Sequence, residues 1–502
     1  MTAELARAAG PVGSAGLALL IASPRRDLRL PALAAWALGC LVLAYYLAPH
    51  GHVALLAAGA VVGVVLAAVG AALLLRWPWL LALAALACVP ARIPVKVGST
   101  DANLLVPMYG VIAAAAIALG WELLKGDERV RELGPLALPL AVFAFWSGLT
   151  LAWSQDPHQG AIELLAFYLP FGLLAVALAR LPWRHEWLGA LWVLFVGMAV
   201  VFAVVGIYQY ETRDVFWNPK VIVGNVYAPF YRVNSVFWDP SIYGRFVAVA
   251  ILASLVFVVH GAVRRTAVAA AAAICVSWVG LVLSFSQSSF VALVVGVGII
   301  AWFAWGRRTL ALLGVVALVV LVAALAMPGV RHHSLNSASG GRFKLVKNGV
   351  AIAAHHPVQG VGVGAFKRAY AKRTHLKGRE PKAAASHDTP VTVAAETGFV
   401  GLGLFAWLLV AGLMLALRSV APTFAGRVAL ALGVVLAAIG VHSLFYNAFF
   451  EDPMAWGALA LTPLAAAALA RERVSEPQRR VAVRQPSAVA APQAGRSRAE
   501  AG

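Results

Sequence analysis

The sequence predicts an all-α polytopic membrane protein of about 12–14 transmembrane helices, and three observations predict it. Of the 502 residues, 62% are hydrophobic and only 12% are charged, about half the charged share of a soluble domain. Mean hydropathy is +0.83. Apolar runs of roughly 18 residues or more, each long enough to cross a bilayer, recur along most of the chain. Short alternating segments of the kind that build a transmembrane β-barrel are missing.

Taken in order, the first apolar run, 11–23, precedes Arg25 and Arg26 and is too short for a span. Residues 1–30 are therefore expected to form an interfacial or re-entrant N-terminal segment. Spans are expected at 31–49, 53–75, 77–90, 104–124, 135–153, 161–180, 186–210, 242–262, 266–285, 288–306 and 309–327. After a large loop, 328–397, three more follow at 398–418, 425–446 and 453–470. The remainder, 471–502, is rich in Ala, Pro, Arg and Ser and is expected to be a disordered tail.

Alternate connections carry the arginines: Arg25, Arg26 and Arg29; Arg76; Arg129 and Arg131; Arg180 and Arg184; Arg264 and Arg265; Arg307 and Arg308; Arg418 and Arg427. The positive-inside rule assigns these connections and the tail to the cytoplasm. The chain is thus expected in the cytoplasmic (inner) membrane, multi-pass, with the loops at 91–103, 154–160, 211–241 and 328–397 on the extracytoplasmic side. Much of the formal net charge of +19 serves this topology. Cys40, Cys88 and Cys275 all sit in apolar segments and read as small buried hydrophobes. Neither a disulfide framework nor a metal-ligand spacing is present. There is no phosphate-binding GxxxxGK[ST] loop and no HExxH helix, so no cofactor or metal and no nucleic acid is expected.

The loop 328–397 breaks the charge pattern. It holds eleven basic residues, among them Arg342, Lys344, Lys347, Lys367, Arg368, Lys372 and Arg373, against Glu380, Asp388 and Glu396. An excess of positive charge on the outer side calls for an anionic ligand, with anionic lipid headgroups as the alternative. The stretch 342–354 is amphipathic, with Phe343, Val346, Val350 and Ile352 as its apolar positions, and fits a short helix at the membrane surface. His355-His356-Pro357 ends it, because the residue before proline leaves the α region. "GVGVG" at 360–364 has no strand–turn–helix context and reads as a turn.

"YRVNSVFWDPSIYGRF", 231–246, places Arg232 just before a span and Arg245 about one turn inside it. A charge at that depth needs a polar cavity, a partner or the headgroups, or it snorkels to the interface. Asp239-Pro240 reads as a helix start. In "SHDTPVTVAAETGFVG", 386–401, Asp388 or Thr389 caps a helix whose first turn holds Pro390. His387 then stands at the positive end of that helix, where the dipole favours a neutral ring able to accept a proton. Glu396 is nine residues further on, roughly 13 Å along a helix axis. It is too far to bond His387 and is expected to bind another polar group inside the bundle.

Five stretches together resemble the superfamily of O-antigen ligases and O-antigen polymerases, which are bacterial membrane glycosyltransferases. They are "RVNSVFWDPSIYGRF", "LVLSFSQSSFVALVVG", "SGGRFKLVKNGVAIAAHHPVQGVGVGAF", "SHDTPVTVAAETGFVGLGLF" and "GVHSLFYNAFFEDPMAW", in family order over roughly 200–460. The most specific part is HP-x-x-G-x-G-x-x-x-F, then a histidine, then E-x-G-x-x-G. The resemblance implies a GT-C-like helical bundle that takes a glycan from an undecaprenyl diphosphate carrier. The bundle would pass it, without a metal, to a glycan, lipid or protein acceptor at the outer face of the membrane. By position, His387 matches the family's acceptor-activating histidine and Arg232 one of its diphosphate-binding arginines. Departures are Gln287 in place of a second arginine, Asp388 where the family has Asn, and Asp239-Pro240-Ser241 for Asn-Pro-Asn. Arg342 and Arg245 are the candidates to supply the missing cation. The alternatives are a polysaccharide polymerase of the same superfamily and a transporter or flippase for the same anionic lipid.

Overall fold

The structure, a computed structural model, describes residues 3–48, 53–97, 100–227, 230–261, 264–309, 342–375 and 386–484, with Ala311 and Gly314 besides. The expected span at 309–327 falls almost wholly outside the described residues. So do Arg331, Lys377, Arg379, Lys382 and the end of the tail.

The architecture is all-α, as the composition predicts. The helices are α1 (Ala3–Ala22), α2 (Arg29–Leu47), α3 (Val53–Arg76), α4 (Leu80–Ala87), α5 (Val106–Leu124), α6 (Ala137–Leu149), α7 (Pro157–Glu163) and α8 (Leu169–Ala179). Then come α9 (His185–Thr212), α10 (Pro219–Tyr227), α11 (Pro240–Val259), α12 (Arg264–Ser284) and α13 (Gln287–Trp305). The last are α14 (Arg342–His355), α15 (Phe366–Thr374), α16 (Thr389–Arg418), α17 (Phe424–His442) and α18 (Pro453–Arg484). A π-turn, Leu164–Tyr168, joins α7 to α8. Among the described residues, 13 helical segments are long and apolar enough to cross a membrane. Helices satisfy every backbone group internally, which hydrocarbon requires.

Two segments differ from expectation. The N-terminal run is longer than its apolar core suggests: α1, Ala3–Ala22, is a 20-residue helix, long and apolar enough to cross a membrane. Glu4 and Arg7 interrupt its hydropathy, but they pair with each other at 3.1 Å. Small residues let α1 lie directly on α2; a Cβ added to Gly39 would stand 2.4 Å from the Gly13 Cα. Conversely, the expected span at 77–90 shrinks to the eight-residue α4, bracketed by Pro78 and Pro90. The loop after it contains an antiparallel hairpin, β1 (Ile93–Val97) with β2 (Thr100–Leu104), in which Val95 faces Ala102. At the C-terminus, α18 continues to Arg484, so helix extends into the segment expected to be disordered.

The centre of the bundle is the segment Pro157–Ala179 with α11 and α17, whose apolar windows are 89%, 78% and 72% buried; α3, at 11%, is left facing outward. The connections sort to two ends. At the arginine end, buried Arg29 pairs with Glu132 at 2.7 Å. Arg180 reaches Glu122 at 2.6 Å, Asp127 at 3.0 Å and also Glu132. Arg427 Nη1 donates to the carbonyls of His260 and Gly261. At the opposite end, Arg92 pairs with Glu451 at 3.3 Å, and the Trp153 indole donates to the Gln359 carbonyl at 3.1 Å. The alternation of arginines along the sequence is thus a physical separation between two ends of one bundle.

Candidate functional site

The site is built at the second end, where α14, α15 and the start of α16 sit on the bundle. What holds them there is the glycine turn. Gly360, Gly362 and Gly364 all have positive φ (66°, 91° and 74°). A Cβ on Gly362 would lie 2.2 Å from the Ser154 Cα, and one on Gly360 would lie 2.2 Å from the Glu396 carbonyl oxygen. Only glycine fits such an approach. The turn is inserted beside a break in α16, where Gly398 leaves the helix at φ 72°. The carbonyls freed by that break accept from the inserted strand: Val361 N–H to Ala395 O at 2.9 Å and Gly362 N–H to Glu396 O at 2.8 Å. Phe399 N–H reaches the Pro357 carbonyl at 2.7 Å. A kink that would otherwise leave backbone groups unpaired is therefore satisfied by the HP-x-x-G-x-G segment itself.

Glu396 belongs to this brace. Its carboxylate is buried and accepts from the Phe366 N–H at 3.0 Å. It binds a backbone group inside the bundle.

His387 precedes α16 in a left-handed conformation, φ 61°, and is half-buried. Left-handed backbone is uncommon for a residue with a Cβ, and where it persists the surroundings enforce it. Here the flanking residues do so. Ser386 Oγ donates to the Asp388 carbonyl at 2.6 Å and accepts from the Asp388 N–H at 3.1 Å. Asp388 is the cap of α16, its carboxylate accepting from the Val391 N–H at 2.8 Å. Burial raises the Asp388 carboxyl above the usual range, and the Val391 N–H opposes that rise. Thr389 N–H then donates to the Ser443 carbonyl at 2.9 Å, which ties the histidine loop to the end of α17.

At that end lies a polar cluster. His442 Nε2 is 3.0 Å from Ser288 Oγ, and Ser286 Oγ is 3.2 Å from Ser288 Oγ and 2.7 Å from Ser289 Oγ. All four residues are buried. Gln287, set among these serines, opens α13 and points to the exposed side. Arg232 is held from two directions: its Nε donates to the Ser284 carbonyl at 3.2 Å, and its backbone is clamped by Asn225. Asn225 Nδ2 donates to the Arg232 carbonyl at 2.9 Å, and Arg232 N–H donates to Asn225 Oδ1 at 3.0 Å.

Burial lowers the pKa of Arg232; Asp239 opposes that shift, and the charge of Arg342 adds to it. Arg232 is partly buried, while Arg342, the first residue of α14, is exposed. α14 is the short helix expected at 342–354; Leu345 and Ile352 are buried, while Phe343 and Val350 remain exposed.

Arg245 is buried within the bundle. Its Nε lies 2.8 Å from Asp452 Oδ2, with both side chains almost fully buried. The partner expected for a charge at that depth is therefore a carboxylate of the chain itself, and the snorkelling alternative is excluded. Beside this internal pair, the Arg245 Nη1 has no hydrogen-bond partner among the described residues. Sequence reasoning singled out neither Asp452, His442 nor Asn225. The first two lie in "GVHSLFYNAFFEDPMAW", whose family likeness was the available signal; Asn225 carries none.

No curated protein matches the chain. Residues 270–406, from within α12 to the turn after the α16 kink, match the family model described as O-antigen ligase. This O-antigen ligase domain, set in an all-α polytopic bundle, supports the chain's place in the superfamily of O-antigen ligases and polymerases.

Proposed function

We propose that the chain transfers a glycan from an undecaprenyl diphosphate carrier to a lipid or glycan acceptor at the extracytoplasmic face of the cytoplasmic membrane. The observation that carries this reading is the partly buried Arg232, fixed by Ser284 and Asn225, at the end of the bundle that also holds His387. A guanidinium held in place in this way fits an anion with several acceptor oxygens. His387 accepts the acceptor hydroxyl proton. The hydroxyl oxygen attacks the anomeric carbon, and the bond from that carbon to the diphosphate breaks. The electron pair leaves with undecaprenyl diphosphate, where charge grows in the transition state. A fixed cation there lowers the barrier electrostatically. Asp388 and Glu396 act on the frame, the first as the cap behind His387 and the second as the anchor of the glycine turn.

The test is transfer from a purified lipid-linked glycan to acceptor, with the product weighed by mass spectrometry. His387→Ala is expected to abolish transfer with insertion and folding intact; an unchanged rate refutes the base role. Addition of one glycan supports ligation, and a ladder of lengths supports the polymerase alternative.

A further inference from the structure

A crevice of about 480 Å³ runs between α4, α8, α9, α11, α17 and α18, from Val89, Pro453 and Met454 towards the arginine end. Its lining is almost wholly apolar, with Leu178, Phe195, Val249 and Leu461 among the wall residues. Where it meets the arginine end it is bordered by Gly261, Thr266, Phe424 and Arg427. Two donors line it without a hydrogen-bond partner: the Trp192 Nε1–H and the Arg427 Nε–H. Arg427 spends Nη1 on the carbonyls of His260 and Gly261, and among the described residues no carboxylate is paired with it. Two glycines widen the crevice. A Cβ on Gly189 would meet nothing within 4 Å, and one on Gly457 would meet only Leu178 Cδ1 at 4.0 Å.

We propose that this crevice binds one anionic phospholipid, with an acyl chain along the apolar wall, an ester carbonyl on Trp192 and the phosphate on Arg427. An apolar slot capped by a guanidinium with no paired carboxylate among the described residues complements that molecule. Hydrocarbon fills a space that water leaves dry, and the phosphate supplies the charge that the chain does not provide. Arg264 and Arg265, at the start of α12 beside Thr266, add positive charge to the same end. Arg427, the head of this site, lies at the arginine end, and Arg232 and His387 lie at the other end of the bundle.

The test places the full chain in nanodiscs of equal phosphatidylglycerol and phosphatidylcholine, releases it in mild detergent and weighs the intact complex by mass spectrometry. Wild type is expected to retain phosphatidylglycerol in excess over the bulk ratio. Arg427→Gln is expected to cut that excess roughly fivefold, the effect of one arginine at a membrane surface. Gly457→Leu and Gly189→Leu, each filling open space, are expected to lose retained lipid of both kinds while melting as wild type does without added lipid. Retention at the bulk ratio by wild type overturns the proposal, since that is lipid of the annulus only. So does undiminished phosphatidylglycerol in both glycine variants when they are folded.

Discussion

Removing one charge of the Arg245–Asp452 pair is expected to be among the most damaging single changes in the bundle. The two groups are 2% and 1% exposed and 2.8 Å apart. Burying such a pair is costly, but breaking it is worse, because the remaining charge stays in a low-dielectric interior without a counterion. The expected loss is about 3–5 kcal/mol for either single change.

Asp452 has a second role, since its other oxygen accepts from the Met454 N–H at 2.9 Å at the start of α18. Asp452→Asn keeps a capping side chain and so isolates the charge. Arg245→Met removes the guanidinium and keeps most of its volume. The double variant, Arg245→Met with Asp452→Asn, leaves no unpaired charge and is expected to recover most of what either single change loses. The assay is unfolding of the purified protein in detergent, with glycan transfer measured on the same samples. Two results refute the reasoning: single changes that melt like wild type, or a double variant no more stable than the worse single one. A double variant that folds but does not transfer would assign Arg245 to the substrate.

Other consequences follow from the same geometry. Gly362→Ala places a Cβ 2.2 Å from the Ser154 backbone at φ 91°; left-handed strain of roughly 1–2 kcal/mol adds to the clash, so the melting temperature falls. Gly403→Ala, with open space around it, serves as the neutral or stabilising control. Asn225→Ala removes both bonds that clamp the Arg232 backbone, each worth about 1 kcal/mol. Donor KM is expected to rise with kcat little changed, and an unaltered KM refutes the clamp. At the arginine end, burial alone would raise the Asp127 carboxyl, but the hydrogen bonds of Arg129 and the charge of Arg180 hold it at about 2. That is below its unfolded value of about 3.9. Its contribution to stability is complete above the unfolded value and disappears as pH falls through the folded one. Melting temperature should therefore drop in strong acid, and Asp127→Asn should remove that part of the drop.

Much of this protein is written locally. Hydropathy sets the class, because a run of apolar residues needs no knowledge of its neighbours to prefer hydrocarbon. The alternation of arginines anticipates the two ends, and Asp239 and Asp388 cap the helices that begin beside them. Where local reading went astray, the local signal was diluted or cut short. Glu4 and Arg7 lowered the hydropathy of α1, and two prolines trimmed α4 within an unbroken apolar run. What only the tertiary structure decided is which polar group meets which. Asp452 reaches Arg245 from the far end of the chain, and Glu396 finds the Phe366 N–H. The glycine turn finds the break at Gly398, and Arg232 finds the Ser284 carbonyl. None of these partners is near in sequence, so no spacing announces them. They are selected because each buried polar group must be satisfied by whatever the packed bundle brings within reach.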